Sequence, residues 1–201
     1  MSLIKNNIKI EKNPFDLLEK WYKKAKKNEI SNPNAMALST VGPFNKPRTR
    51  MVLMKEIKEK GIIFYTNSNS RKGNHIIDNK NVSINFYWKS IDRQVLISGK
   101  IKKISSQESD KYFLTRNRKS QIGAWASKQS QKLKSKSNLK TKFDEIDKKY
   151  KGKEIPRPKY WNGYCVYPDS FEFWLQGEGR LHDRVEYKIK SGQWTTKLLY
   201  P

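Results

Sequence analysis

Arg180-Leu181-His182-Asp183-Arg184 places two guanidiniums and one of only two histidines within five residues, just after the aromatic run Phe171-Glu172-Phe173-Trp174. On an extended segment, alternation sets Arg180, His182 and Arg184 on one face and Leu181 and Asp183 on the other. Three nitrogen-rich side chains beside an indole suit a planar, electron-rich, anionic ligand. Taken alone, the same five residues equally suit a solvated basic edge strand, because charged side chains are mostly exposed.

Three further groups offer related chemistry. Tyr65-Thr66-Asn67-Ser68-Asn69-Ser70-Arg71-Lys72-Gly73 leads from a strand into a helix start, where free N–H groups and fixed cations both favour a phosphate. Arg50-Met51-Val52-Leu53-Met54-Lys55 carries cations at both ends of an apolar strand. Tyr112, Arg116 and Ser120 recur at intervals of four, which puts Tyr112 and Arg116 on one helical face with a hydroxyl following, a second grip for a phosphate. Gln94 offers a donor and an acceptor to a heterocycle edge, and Gln129-Ser130 adds polar groups. A surface turn and an amphipathic helix explain these groups one at a time. Together, two phosphate grips and one ring-binding set suggest a phosphorylated cofactor acting on a phosphorylated substrate.

The elements that must carry these residues are short. Asn13-Pro14 reads as a helix cap with proline in the first turn, and Phe15, Leu18, Tyr22 and Ala25 follow at helical spacing to about Asn28. Strands are predicted at 35–41, 49–55, 61–66, 82–88 and 94–104, with 56–60 a charged turn and a short helix at 72–79. Ser105-x-x-Glu108 is a capping-box pattern that starts a helix reaching about Thr115. The stretch 128–138, rich in Ser, Gln and Lys, has little to bury, and Leu139, Phe143, Ile146 and Tyr150 mark a later helix. Strands are predicted again at 164–167, 171–175, 184–190 and 194–199. Many short antiparallel strands with a few helices point to a mainly β, barrel-like sheet with peripheral helices.

Composition sets the outer limits. A chain of 201 residues suits a single domain, 13–201, preceded by an arm, 1–12. No apolar run approaches the roughly 18 residues of a membrane span, and the start lacks the hydrophobic stretch of a signal peptide. Cys165 is the only cysteine, so no intrachain disulfide forms, in keeping with a reducing cytoplasm. One cysteine and two distant histidines do not make a zinc site, so no metal is expected. A formal net charge of +24 raises the prospect of nucleic-acid binding. The excess is lysine spread along the whole chain, however, and no zinc-finger, basic-zipper or ribonucleoprotein motif accompanies it.

These segments resemble the pyridoxamine 5'-phosphate oxidase family. The shared runs are Arg50 to Lys55, Phe64-Tyr65-Thr66-Asn67 with Ser70-Arg71-Lys72, Arg93-Gln94-Val95, Tyr112-Phe113, Ser120 to Trp125 with Ser127-Lys128-Gln129-Ser130, Glu172-Phe173-Trp174, and Arg180 to Arg184. The similarity extends from about Asn13 to the ending Leu199-Tyr200-Pro201. It implies an FMN-binding split β-barrel, a homodimer with FMN at the subunit interface, and oxidation of pyridoxamine or pyridoxine 5'-phosphate to pyridoxal 5'-phosphate with oxygen as acceptor and hydrogen peroxide as product.

The resemblance also implies roles for particular residues. The FMN contacts carried over are Arg50, Met51, Val52, Leu53, Met54, Lys55, Tyr65, Thr66, Arg71, Lys72, Gln94, Gln129, Ser130, Trp174 and Arg184, with Arg71 and Lys72 on the phosphate. The substrate contacts are Lys55, Tyr112, Arg116, Ser120, Arg180 and His182, with Arg180 and His182 beside the reacting carbon. Arg180 is cast as an electrostatic and positioning group, since arginine is almost never deprotonated. The family usually reads Phe-Trp-Gln-Gly; here Leu175 precedes Gln176-Gly177, so the glutamine is displaced by one place and no contact is carried over from it. A non-catalytic flavin-, deazaflavin- or haem-binding split barrel lacks reason to keep the substrate set, and a nucleic-acid-binding protein gives a colourless preparation.

Overall fold

The computed structural model describes residues 7–201. Asn13 caps α1 (Pro14–Asn28) by accepting a hydrogen bond from the Phe15 amide, and Pro14 sits in the first turn, where its missing N–H costs nothing. The strands are β1 (Ala35–Val41), β2 (Pro47–Leu53), β3 (Glu56–Lys58), β4 (Gly61–Asn67), β5 (Asn81–Trp88), β6 (Arg93–Lys103), β7 (Trp161–Leu175), β8 (Asp183–Lys190) and β9 (Gln193–Leu198). The helices after α1 are α2 (Arg71–Asp78), α3 (Ser106–Leu114), α4 (Arg118–Ala126) and α5 (Lys136–Lys149).

One antiparallel sheet runs β2-β1-β5-β6-β7-β4-β3, with β8 on β7 and β9 on β8. The 15-residue β7 holds it together and also splits it. Along one edge β7 pairs with β6; along the other, its first half pairs with β4 (Ile62↔Val166) and its second half with β8 (Phe173↔Val185). The register shifts between Ser98 and Gly99, where a Cβ on Gly99 would lie 2.2 Å from the Tyr167 carbonyl oxygen, so only glycine lets the strands close at this bulge. The sheet therefore curls into a half-barrel. Its inner face buries Leu38, Phe86, Val95, Ile97, Phe171, Phe173 and Tyr187, and α1 lies across it, with Phe15 edge-on to Phe171 at 5.1 Å and Trp21 edge-on to Phe173 at 5.2 Å.

A smaller cluster of Phe113, Ile122, Ile155 and Trp161 packs α3 and α4 beside the end of β4. The capping box predicted at Ser105 is complete, with the Ser105 hydroxyl and the Glu108 carboxylate each serving the other's backbone amide. Among the described residues no helix is long and apolar enough to cross a membrane. Residues 1–6 of the expected arm lie outside the described residues. Within the rest of it, Ile8 is buried, and the Glu11 backbone donates to and accepts from the Tyr187 hydroxyl at 3.1 Å each.

Three expectations change, and one helix is added where none was expected. The separate strands at 164–167 and 171–175 are one strand, because a bulge in β7 at Asp169, between the pairs Pro168↔Gly99 and Ser170↔Ser98, carries the ladder past the proline. The segment 56–60 is not all turn, since Glu56–Lys58 pairs with β4 through a tight return at Gly61. Residues 120–125 lie in α4, capped by Asn117, whose side chain accepts from the Ser120 amide. Arg180 and His182 are not on a strand: Glu178–Arg180 is a short 3-10 turn, Arg180 has φ of 65°, and β8 begins only at Asp183.

Candidate active site

A cleft of about 1130 Å³ opens between the β2 edge, the end of β4, the start of α2, the α3–α4 junction and the loop after α4. One end is built around Lys72. Ser70 caps α2, accepting from the Gly73 amide, so the helix N-terminus and its unpaired N–H groups face this end. Lys72 is only 7% exposed, and its ammonium donates to Thr66 Oγ1 at 2.9 Å, Ser70 Oγ at 3.2 Å and Gln129 Oε1 at 2.8 Å. Among the described residues no carboxylate balances it. Burial, and then the neighbouring Arg50 charge, push the Lys72 ammonium down to about 8. Arg50 itself is held below the usual arginine value by burial, then by Arg48 and Arg71. Four cations crowded without an acid are the electrostatic form of a dianion site.

The other end centres on Arg116. The predicted four-residue spacing holds, but not along one helix. α3 ends at Leu114, Arg116 occupies the break, and Ser120 lies in the first turn of α4. Tyr112, Arg116 and Ser120 all line the cleft. The guanidinium lies over Trp161, 4.6 Å from the ring, and one of its nitrogens, NH1, is buried with no partner among the described residues. Tyr65, Tyr112 and Trp161 form a parallel stack, with Tyr65 and Tyr112 centroids 4.0 Å apart. Burial, chiefly, pushes the Tyr65 hydroxyl up to about 12, so it stays protonated at working pH. Trp161, Arg48, Asn67 and Asn117 also line the cleft and were not singled out from the sequence. Trp161 had a signal, an indole just before the run Tyr164 to Tyr167; the others are ordinary turn and strand residues.

Met51, Val52, Leu53, Lys55, Thr66, Arg71, Gln129 and Ser130 join this cleft. Met54 does not: it is 2% exposed, with its side chain in the core. Gln94, Trp174, Arg180, His182 and Arg184 are also elsewhere. Gln94 on β6, Trp174 on β7 and Arg184 on β8 stand opposite one another in register, forming one row across three strands. That row faces outward, since the neighbouring Val95, Phe173 and Val185 fill the core. Arg184 is held by Glu172, through Nε at 2.9 Å and NH2 at 2.7 Å, and by the Tyr200 carbonyl. His182 lies 4.6 Å from Trp174, and its Nδ1 accepts from the Gly177 amide at 3.2 Å, which leaves Nε2 to carry the proton of a neutral ring. From β2 to Trp174 is four strand steps along the sheet, through β1, β5 and β6.

The fold and cleft define an antiparallel split barrel with a cation-lined edge cleft and, on its outer face, an aromatic–basic row set apart from that cleft. Comparison with known proteins gives this class its family. The pattern described as "Pyridoxamine 5'-phosphate oxidase" matches residues 22–150, and "Pyridoxine 5'-phosphate oxidase C-terminal dimerisation region" matches 161–201. The chain is 46% identical over 190 residues to the pyridoxine/pyridoxamine 5'-phosphate oxidase of Pelagibacter ubique, covering 94% of this chain and 91% of that one. It is 45% identical to that of Rhizobium meliloti, covering 94% and 92%. PhzG from Burkholderia lata, solved in complex with tetrahydrophenazine-1-carboxylic acid, superposes with a TM-score of 0.90 at 30% identity, covering 95% and 94%. A pyridoxamine 5'-phosphate oxidase-related, FMN-binding protein of Nostoc punctiforme shares the fold with a TM-score of 0.75 at 15% identity, covering 96% and 100%. The chain belongs to the pyridoxine/pyridoxamine 5'-phosphate oxidase family.

Proposed function

We propose that this chain is the FMN-dependent oxidase that converts pyridoxine or pyridoxamine 5'-phosphate to pyridoxal 5'-phosphate, acting as a cytoplasmic homodimer with FMN at the subunit interface. The observation that carries the proposal is the cleft with two cationic ends, Lys72 without a carboxylate at one and the orphaned Arg116 nitrogen at the other. Two phosphates fit these two ends, and the donor set suits FMN: fixed cations and a helix N-terminus for its phosphate, and the β2 edge with Met51 and Leu53 for an aromatic ring. The free, buried Cys165 is in keeping with a reducing compartment.

Arg50, Arg71 and Lys72 hold the cofactor phosphate, with Thr66 and Gln129 orienting Lys72. Arg116, Tyr112, Ser120 and Lys55 hold the substrate phosphate, and the Tyr65–Tyr112–Trp161 stack keeps Arg116 in place. Bound FMN supplies the hydride acceptor and passes the electrons to oxygen as hydrogen peroxide. The protein's share is to fix the substrate carbon at reacting distance and to keep water out. With the alcohol substrate, loss of hydride from carbon and a proton from oxygen gives the aldehyde; with the amine, loss of hydride from carbon and a proton from nitrogen gives the imine, which water hydrolyses to the aldehyde and ammonia. His182, held by Gly177, and Arg180 act near that carbon from the Trp174 face of the partner subunit. In support, none of Gln94, Trp174 and Arg184 lines the cleft, Trp174 stands at the opposite end of β7 from the cleft-lining Trp161, and Trp174 and Arg184 lie within the family's dimerisation region.

The absorption spectrum of the purified protein tests this first. Flavin bands, with peroxide released on adding pyridoxamine 5'-phosphate, are expected. A colourless protein that fails to take up FMN, or a flavoprotein that forms no peroxide with either substrate, overturns the proposal.

A further inference from the structure

Beyond the cleft, a buried polar chain runs from α2 to Arg50. Arg50 NH1 donates to the Leu38 carbonyl at 3.0 Å and to Thr40 Oγ1 at 2.8 Å, and Thr40 Oγ1 lies 3.1 Å from His75 Nδ1. Thr40 is 1% and His75 7% exposed, so neither is replaced by water without cost. Arginine only donates, so Thr40 accepts from Arg50. The hydroxyl keeps its own proton and a second lone pair, and either one meets His75 Nδ1, according to the imidazole tautomer.

We infer that Thr40 and His75 are positioning residues for cofactor binding: they hold NH1 of Arg50 so that its remaining nitrogens face the phosphate end of the cleft. Two further observations support this. The other nitrogens of Arg50 make no hydrogen bond among the described residues, and Arg50 lines the cleft. The His75 ring is also wedged in place, since a Cβ on Gly42 would lie 2.6 Å from Nε2. Gly42 has φ of −97°, which any residue adopts, so the glycine is required by the imidazole and not by the backbone. Because His75 belongs to α2, the chain also ties the helix that carries Arg71 and Lys72 to the strand that carries Arg50.

The inference rests on Arg50 binding the FMN phosphate, and the test separates the two. FMN dissociation constants are measured by quenching of flavin fluorescence, with thermal melts of the cofactor-free proteins alongside. Thr40→Val and His75→Leu should each weaken FMN roughly three- to tenfold. His75→Asn, whose side-chain amide offers both an acceptor and a donor in place of Nδ1, should restore most of that loss. In an Arg50→Ala background, which itself weakens FMN, Thr40→Val should change nothing further. If Thr40→Val weakens FMN equally with and without Arg50, or if His75→Asn and His75→Leu behave alike, the positioning role is wrong while the FMN site stands. If Arg50→Ala leaves FMN binding intact, both fall.

Discussion

The indole of Trp174 and the imidazole of His182 lie with ring centroids 4.6 Å apart and planes tilted by 43°, yet neither side chain borders the cleft that contains Arg50, Lys72 and Arg116. In the proposed function, site residues divided in this way form two half-sites on one chain. That function requires a twofold dimer that sets the cleft of each subunit against the outer row of the other, completing both sites at once. Each half has its own test.

At the phosphate end, Lys72 makes FMN affinity depend on pH. Its ammonium titrates at about 8 in the free protein, and a bound dianion restores the charge, so binding takes up a proton once the free protein has lost it. Affinity should be level below about pH 8 and fall above it, and the fall should vanish in Lys72→Arg, whose guanidinium does not titrate there. Stability of the cofactor-free protein should move the other way. The unfolded lysine keeps its proton to about pH 10.4, so the unfolded state binds more protons between the two values and stability rises with pH across that window. Isothermal titration of FMN across this range checks both the slope and the proton uptake.

Arg71 is exposed at the helix start, and the part proposed for it is direct contact with the phosphate. Arg71→Ala should weaken FMN by roughly tenfold to a hundredfold through loss of a charge-assisted hydrogen bond. An unchanged FMN titration rejects the role.

Arg116 and Arg180 should separate in kinetics. In the proposed function Arg116 grips a phosphate alike in ground and transition states, so Arg116→Ala should mainly raise KM and leave kcat within a few-fold. The proposed function places Arg180 where charge changes, so Arg180→Ala should lower kcat as well, and Arg180→Lys should not fully restore it, because an ammonium cannot lie flat across a ring. Steady-state rates on FMN-saturated variants decide this; the reverse pattern exchanges the two roles.

Gly73→Ala tests how α2 is seated. In an open helix this change stabilises by about 1 kcal/mol. Here the added Cβ would lie 2.0 Å from the Ser68 carbonyl oxygen, so the cap loop must open, at a cost of about 1–3 kcal/mol. Thermal melts should show a lower Tm, and a higher one removes the tight seating of the helix on its cap.

The signals legible in the sequence were local. Asn13-Pro14 and Ser105-x-x-Glu108 declared helix starts because capping is decided within four residues. The cationic groups around Arg50, Arg71 and Arg116 were likewise visible as residue types at short spacing. The helix at 118–126 was missed because its apolar periodicity is weak, and only Asn117 as a cap could have announced it. The alternation argument failed at Arg180 because Gly177 and Gly179 shape a turn: a Cβ on Gly177 would meet the Leu181 carbonyl at 2.0 Å, and Gly179 has φ of 60°. The separation of the outer row from the cleft was not legible in any local pattern, and only the family resemblance, with FMN at the subunit interface, implied a site shared between chains. That separation depends on the register Gln94↔Trp174↔Arg184, a pairing among strands distant in sequence that no local pattern specifies.

The shared site is tested most directly by complementation. Arg71→Ala/Lys72→Met disables the cleft half, and Arg180→Ala/His182→Ala disables the outer half. Each homodimer should be nearly inactive at limiting FMN and substrate. Subunits mixed through dissociation and reassociation should recover up to about one quarter of wild-type activity, because half of the dimers are mixed and each holds one intact site of two. Recovery near that level is the predicted result; a verified mixed dimer no more active than its parents would show that each site is built from a single chain and contradict the account.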